Sequence, residues 1–120
     1  MTLADTSVWI DHLHKKDPRL ARLLDENSVL MHPWVRGELA LGPLAGRRKF
    51  LKLLDYLPVI RPAADASVFD LIESAGIHGR GIGWVDAGLL ASCLARPCKL
   101  WTRDKRLAKV AAGLGIAERN

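Results

Sequence analysis

Residues 1–10 read MTLADTSVWI, and this stretch indicates the fold class. A short apolar run ends at Asp5, and apolar residues then recur with helical spacing from Thr6 to about His14. The apolar run predicts a buried strand, and Asp5 stands where this strand gives way to a helix. A strand that leads directly into a helix is typical of the α/β class, in which helices cover a parallel sheet.

The same alternation continues along the chain. Further helices are predicted over DPRLARLLDEN, PWVRGELALG, the segment 47–57, ADASVFDLIESAGI, WVDAGLLASCLA and DKRLAKVAAGLG. Short apolar runs at SVLMH, LPVI, CKLWT and IAER predict strands, and HGRGIG predicts a glycine-rich loop. Alternating strands and helices indicate a parallel sheet with helices on both faces, in which ligands bind beyond the carboxyl ends of the strands.

Length and composition narrow the class of protein. We expect the 120 residues to form one domain, 1–120, because the chain is too short for two sizeable cores. No apolar run approaches the ~18 residues of a membrane span, and the N-terminus lacks a secretion signal, so a cytoplasmic location is expected. Cys93 and Cys98, five positions apart, fit neither a CxxC redox pair nor a zinc site and are predicted to be plain buried thiols.

The charge of the chain favours a polyanionic partner. Its 18 Lys and Arg outnumber 13 Asp and Glu, which gives a net charge of +5 and a pI near 9.6. The basic residues gather in three groups, at 15–22, 47–52 and 103–109. Solvated helix faces would look the same, so the groups alone do not establish nucleic-acid binding.

Four acids stand out by position. Asp5 follows the first strand, Glu38 lies inside a helix, Asp86 lies in the first turn of a helix, and Asp104 follows CKLWT. Asp5, Asp86 and Asp104 could each act as a helix cap or first-turn acid, and Glu38 could be a solvated helix residue. Together, four carboxylates at one sheet edge would repel each other unless a cation neutralised them.

Oxygen ligands without His or Cys suit Mg²⁺, with Mn²⁺ as the other candidate, and Asp5, Asp86 and Asp104 are the expected ligands. Such ions activate water and stabilise the leaving oxygen in phosphodiester hydrolysis. Thr102, two residues before Asp104, would share its face of a strand and could orient a carboxylate, water or phosphate. A set of possible substrate-binding residues comprises Thr6, Ser7, Arg80 and Arg103. A negative pocket in a basic surface predicts a metal-dependent nuclease.

Four segments together resemble the PIN-domain ribonucleases, specifically the VapC-type toxins of bacterial type II toxin–antitoxin systems. These segments are DTSVWID, GEL, GWVDAGLLA and LWTRDKRLAKVA, which match the family pattern in order and spacing over nearly the whole chain. The resemblance implies a three-layer α/β/α sandwich around a central parallel sheet. It also implies an acidic metal site, an RNA substrate, a cognate antitoxin that blocks the groove and, commonly, a homodimer. The site it implies consists of Asp5, Glu38, Asp86 and Asp104, with Thr102 as the hydroxyl companion.

One departure from the family concerns the second metal site. Many relatives carry a further acid shortly after the position of Asp104, whereas Lys105 and Arg106 follow here. Two alternatives also stay open at this point. A receiver-like signalling domain has similar architecture but needs an acceptor aspartate where LPVIRP offers Arg61 and Pro62. A non-catalytic RNA-binding or interaction module would keep the basic surface and use its acids only as helix caps.

Overall fold

Three parallel strands form the centre of the computed structural model, which describes residues 1–119. β1 (Thr2–Ala4) lies between β2 (Val29–Leu30) and β3 (Lys99–Trp101). All three strands are short, and all their residues except Lys99 are buried, as the apolar runs predicted. Because the strands are parallel, their carboxyl ends meet at one edge of the sheet.

Seven helices lie between and after the strands within residues 1–119. The first four are α1 (Thr6–His14) and α2 (Pro18–Asp25), which follow β1, and α3 (Pro33–Leu41) and α4 (Arg47–Leu54), which follow β2. The others are α5 (Asp65–Ala75), α6 (Trp84–Ala95) and α7 (Lys105–Gly113). None of these helices is long and apolar enough to cross a membrane. Every predicted helix is present, although the fourth ends at Leu54 instead of Leu57.

Local chemistry explains where the helices begin. The Asp5 carboxylate accepts from the backbone N–H of Val8 at the start of α1. Asp17 caps α2 by accepting from Arg19 and Leu20, and Pro18 occupies the first helical position. A side chain that accepts these otherwise unpaired N–H groups stabilises a helix by about 1 kcal/mol.

Two predicted strands, LPVI and IAER, are each reduced to a single bridge. Val59 pairs with Met31 beyond β2, and Ala117 pairs with Leu100 beyond β3, both in parallel. The first bridge cannot lengthen because Pro58 and Pro62 flank it, and proline lacks the N–H that a sheet requires. The second bridge, between Leu100 and Ala117, has little room to lengthen because β3 is only three residues long. The sheet is thus narrower at its edges than the sequence pattern predicts.

The strand order explains why a crevice lies at the carboxyl ends of β1 and β3. The chain runs from β1 to β2 and out to Val59, and then returns to the other side of β1 to form β3. With right-handed crossovers, α1–α4 cover one face of the sheet and α5–α7 the other. Connections leaving β1 and β3 therefore diverge to opposite faces, and this divergence opens a crevice at their carboxyl ends. Asp5 and Thr102 directly follow these two strands.

Glycines mark one tight contact between α3 and α6. An added Cβ at Gly88 of α6 would lie 2.2 Å from the Trp34 ring, so only glycine fits beneath this tryptophan. Gly37 differs, since nothing lies within 4 Å of the position of its Cβ. Close packing therefore does not require a glycine at position 37, beside Glu38. Cys93 and Cys98 are buried free thiols, as predicted.

Candidate functional site

Asp5 is a carboxylate held almost completely inside the protein, with 7% of the residue exposed. The Ser7 hydroxyl donates to its Oδ1 at 2.5 Å, and the Val8 N–H donates to the same oxygen at 3.3 Å. Burial raises the pKa of the Asp5 carboxyl above its ordinary value, while hydrogen bonds from Ser7, Thr102 and Val8 act in the opposite direction. Asp5 therefore caps a helix, as the structural alternative proposed, and is also a poorly solvated anion.

Thr102 connects Asp5 with the turn that carries Asp104. The Thr102 side chain is buried and hydrogen-bonds the Asp5 carboxylate, and its Oγ1 accepts from the Asp104 N–H at 3.0 Å. The expected reason for their proximity was wrong, because β3 ends at Trp101 and no strand face is shared. A side-chain turn joins the two residues instead. Asp104 then caps α7, with Oδ1 accepting from Arg106 and Leu107.

Asp86 lies in the first turn of α6, and its carboxylate accepts from the backbone N–H of Gly83. Burial is the largest cause that raises the pKa of this carboxyl. The negative charges of Asp5, Asp104 and Glu38 raise it further, and the Gly83 N–H opposes the shift. The structure thus brings together all four acids that the sequence singled out. Their convergence is visible as mutual electrostatic repulsion at Asp86.

Glu38 approaches the site from α3 and is exposed to solvent. The hydroxyl of Thr6, the first residue of α1, donates to Glu38 Oε1 at 2.6 Å. Thr6 and Ser7 therefore each hold one acid of the site, Glu38 and Asp5 respectively. Both had been predicted as substrate-binding residues, and in this structure their hydroxyls orient carboxylates.

The arrangement has the ligand chemistry of a hard divalent cation without forming a closed cage. Within residues 1–119, no three Asp, Glu, His or Cys side chains are placed to hold one ion together. The Asp5 and Asp104 carboxylates are instead turned toward helix caps. Carboxylate oxygens that repel each other in a half-buried crevice are nevertheless the donor set that Mg²⁺ and Mn²⁺ favour. The donor chemistry fits such an ion.

Arg103 contacts helices α1 and α2 through its side chain. Its Nε lies 3.3 Å from Asp11 Oδ2 and its Nη2 lies 2.6 Å from Asp17 Oδ2, while the guanidinium stacks 5.3 Å from the centre of the Trp101 ring. The Arg103 backbone N–H also donates to Ser7 Oγ, which in turn donates to Asp5. The structure thus places Arg103 as a support of the site.

Arg80 and Arg106 lie at the glycine-rich loop and the adjoining helix α7. Arg80, from the glycine-rich loop, lines a cleft with Lys109 and Val110 of α7. Arg106 lies against the same loop, because a Cβ at Gly81 would come within 2.6 Å of its Nη1. Sequence reasoning missed Arg106. The signal was its place two residues after Asp104, in the first turn of α7.

Comparison with known families identifies the class. Residues 2–113 match the model of the family described as PIN domain. The chain therefore belongs to the PIN-domain family.

Two relatives from Mycobacterium tuberculosis narrow the class. Both carry the name Ribonuclease VapC32, one from strain CDC 1551 / Oshkosh and one from strain ATCC 25618 / H37Rv. Each is 44% identical to this chain over 118 residues, covering 98% of the chain and 95% of the relative. The predicted resemblance to VapC-type PIN ribonucleases is confirmed, and the receiver-domain alternative is set aside.

Solved structures agree on the fold. PAE2754 from Pyrobaculum aerophilum superposes with a TM-score of 0.65 at 15% identity, covering 91% of this chain and 83% of that one. FitAcB from Neisseria gonorrhoeae superposes with a TM-score of 0.62 at 21% identity, covering 100% of this chain and 97% of that one. At these identities the likeness concerns the fold alone, and it confirms the α/β/α sandwich.

Proposed function

We propose that this protein is a Mg²⁺- or Mn²⁺-dependent endoribonuclease and the toxin of a toxin–antitoxin pair. The observation that carries the proposal is the convergence of four carboxylates, in which Asp5, Asp104 and Glu38 together raise the pKa of Asp86. The 44% identity to a protein named Ribonuclease VapC32 supports the same activity. Either observation alone would be weaker, since repelling acids occur at other kinds of site and a name describes a relative.

The proposed ligands of the cation are Asp5, Asp86 and Asp104, with Glu38 at the rim. The charged groups that shift the pKa of Asp86 are the acids Asp5, Asp104 and Glu38, so an added positive charge would relieve the repulsion at this carboxyl. A bound divalent cation would supply that charge, polarise a water molecule and stabilise the charge that develops on the scissile phosphate. Binding would require Asp104 to share its carboxylate between the ion and the cap of α7.

The chain's own residues orient the reacting groups. Ser7 and Thr102 fix the rotamer of the Asp5 carboxylate, and the Thr6 hydroxyl fixes Glu38 by donating to its Oε1. We assign Glu38 as the proton acceptor for the attacking water, because it is exposed at the rim of the crevice, whereas Asp104, which is also exposed, caps α7. Hydroxyls that hold carboxylates in place reduce the reorganisation needed during the reaction.

The surface around the site suits an RNA strand. Four of the 13 acidic residues belong to the proposed site. The 18 Lys and Arg therefore outnumber the remaining acids by a wide margin on the rest of the protein. Arg106 is the best-placed base for a phosphate that flanks the scissile one, because it is exposed, follows Asp104 closely and lies over Gly81. Basic side chains attract the RNA backbone largely independently of sequence. This assignment replaces Arg103, whose guanidinium pairs with Asp11 and Asp17.

Cleavage of a mixed pool of 5′-labelled RNA by the purified protein tests the proposal. We expect cleavage with Mg²⁺ or Mn²⁺, loss of cleavage with EDTA, and recovery when the ion is added back. The double variant Asp5→Asn, Asp86→Asn should be inactive while keeping its circular-dichroism spectrum. Asp70→Asn, an exposed acid on α5, removes the same kind of charge and should cleave normally. Cleavage that persists in the double variant would refute the assignment of the site.

A non-catalytic RNA-binding module is the second candidate, because Asp5 and Asp104 do cap helices α1 and α7. It predicts RNA binding that neither divalent ions nor the double variant alters, with no cleavage under any condition.

The antitoxin and homodimer are further parts of the proposal. Co-expression with the product of a short reading frame immediately upstream should yield a complex that no longer cleaves RNA, and light scattering of the isolated protein reports its oligomeric state.

A further inference from the structure

Two thiols face each other where α6 ends and β3 begins. Cys93 lies in the last turn of α6 and is fully buried, and Cys98 directly precedes β3 and is 8% exposed. The Cys98 N–H donates to the Cys93 carbonyl at 3.4 Å, and the two thiols are hydrogen-bonded to each other. A backbone bond of this kind, at a helix end, brings the Cα atoms near the ~4.4–6.8 Å separation that a disulfide requires.

Cys98 is the thiol that a small reagent can reach. It lines a surface cleft of about 300 Å³ together with Met1, Lys99 and Ile116. Cys93 lies behind it in the core and contacts no solvent. A reagent that arrives through the cleft therefore meets Cys98 first and has Cys93 as the next sulfur.

We propose that Cys93 and Cys98 form a site of reversible oxidation, closing an intramolecular disulfide when a peroxide reacts with the protein. The Cys98 thiolate attacks one peroxide oxygen, the O–O bond breaks, and the leaving hydroxide takes up a proton to become water. This leaves a sulfenic acid on Cys98. The Cys93 sulfur then attacks the Cys98 sulfur, the S–O bond breaks, and hydroxide leaves with the Cys93 proton as a second water. Two thiols are oxidised and one peroxide is reduced.

Electrostatics favours the same order of events. The hydrogen bond from Cys93 lowers the pKa of Cys98, against the effect of burial, and the N-terminal amine and Arg96 lower it further. The same hydrogen bond raises the pKa of Cys93. Cys98 is therefore the sulfur that carries the thiolate, and Cys93 is the resolving thiol.

The bond would link two elements that carry the proposed catalytic acids. α6 begins near Asp86, and the chain that follows β3 carries Thr102 and Asp104. A link at Cys93 and Cys98 joins these elements at the end away from the acids, so it should stiffen the site without blocking it. This consequence for the site rests on the proposed nuclease function, whereas disulfide formation does not.

Intact mass and thiol counting on the full-length protein test the proposal without any RNA. After hydrogen peroxide treatment and quenching, we expect the mass of the monomer to fall by two hydrogen atoms and both thiols to disappear under denaturing conditions. Dithiothreitol should restore both thiols, and the oxidised protein should unfold a few degrees higher because the crosslink restricts the unfolded chain. Two unchanged thiols, added oxygen atoms without a disulfide, or a disulfide-linked dimer would each overturn the proposal.

Single variants separate the two sulfurs. In Cys93→Ala, the sulfenic acid on Cys98 should persist long enough to be trapped by dimedone, whereas Cys98→Ala should react slowly and give little adduct. Equal trapping in both variants would contradict the assigned order. Because the wild-type mass measurement needs neither variant, the proposal stays falsifiable if one of them fails to fold. RNA cleavage by the oxidised protein is measured separately, so a failure of the nuclease proposal cannot be mistaken for a failure of this one.

Discussion

The carboxylates of Asp5 and Asp86 share one crevice, and the negative charge of Asp5 raises the pKa of Asp86. Asp5 follows the central strand β1, and Asp86 begins helix α6, so the sheet edge is what brings them together. Burial raises the pKa of both carboxyls. Because the pKa of each carboxyl is higher in the folded protein than in the unfolded chain, ionisation of Asp5 and Asp86 opposes folding when no cation is bound.

Asp86→Asn should separate stability from activity. The variant removes one repelling charge and keeps an oxygen for the Gly83 N–H, so urea unfolding in EDTA should show a small gain in the free energy of unfolding. RNA cleavage should fall by about 100-fold or more, because a proposed metal ligand is lost. Asp70→Asn should change neither quantity. A variant that loses stability and keeps cleavage would indicate a structural role for Asp86.

His32 should make stability depend on pH. Its residue is fully buried at the start of α3, with Nδ1 accepting from the Trp34 N–H and Nε2 bonded to Ser92 Oγ, and burial lowers its pKa from 6.5 to about 4. Between these values the unfolded chain binds a proton that the folded protein does not. The free energy of unfolding should thus fall by up to about 1.4 kcal/mol per pH unit as pH drops from 6.5 to about 4, and this loss should be absent above 6.5.

The variant His32→Asn provides the comparison for that titration. Asparagine can still cap α3 but does not titrate, so the variant should be less stable at pH 7 and show a shallower slope between pH 6.5 and 4. Slopes, not absolute stabilities, are compared, because the variant also loses the bond to Ser92. Parallel pH profiles for the two proteins would contradict the shifted pKa of His32.

Local chemistry in the sequence predicts helix boundaries better than strand pairing. The caps Asp5 and Asp17 and the first-turn prolines Pro18 and Pro33 act within a few residues, and α1, α2 and α3 begin where these residues indicate. The outer strands LPVI and IAER depend on partners far along the chain. A short apolar run does not reveal whether its neighbour offers three residues or one for pairing, and each of these runs forms a single bridge.

In the candidate site, too, the features set by nearby residues could be predicted and those set by distant partners could not. The positions of Asp5 and Asp104 followed from local strand-to-helix pattern, and the structure brings both to one edge. The orientation of the arginines could not be read in this way. Arg103 turns toward Asp11 and Asp17, which lie more than eighty positions away in the sequence, and Arg106 was overlooked because Gly81, against which it lies, belongs to a different segment of the chain.

Gly88→Ala and Gly37→Ala should have opposite effects on stability. A methyl group at Gly88 would overlap the Trp34 ring, so α3 and α6 would have to separate, which should cost about 1–3 kcal/mol as in other overpacked cores. Gly37 has open space around it within α3, so alanine should stabilise the helix by about 0.5–1 kcal/mol. Thermal and urea unfolding measure both changes. A destabilised Gly37→Ala protein would show that this backbone position is constrained in a way the contacts do not reveal.

Arg106→Gln and Arg103→Gln should separate RNA binding from structural support. Both remove one positive charge near Asp104, but Arg106 lies over Gly81 at the surface while Arg103 pairs with Asp11 and Asp17. RNA binding is measured with single-stranded RNA in an Asp5→Asn background, which prevents cleavage. Arg106→Gln should reduce the slope of log K against log salt by about 0.7, the loss of one phosphate contact, at unchanged stability.

Arg103→Gln should instead lower the free energy of unfolding by about 0.5–1 kcal/mol, since partly exposed ion pairs contribute little more. Arg22→Gln, an exposed charge on α2, controls for net charge. If Arg22→Gln and Arg106→Gln change the salt slope equally, RNA senses only the overall charge of the protein, and Arg106 has no special place beside the acids.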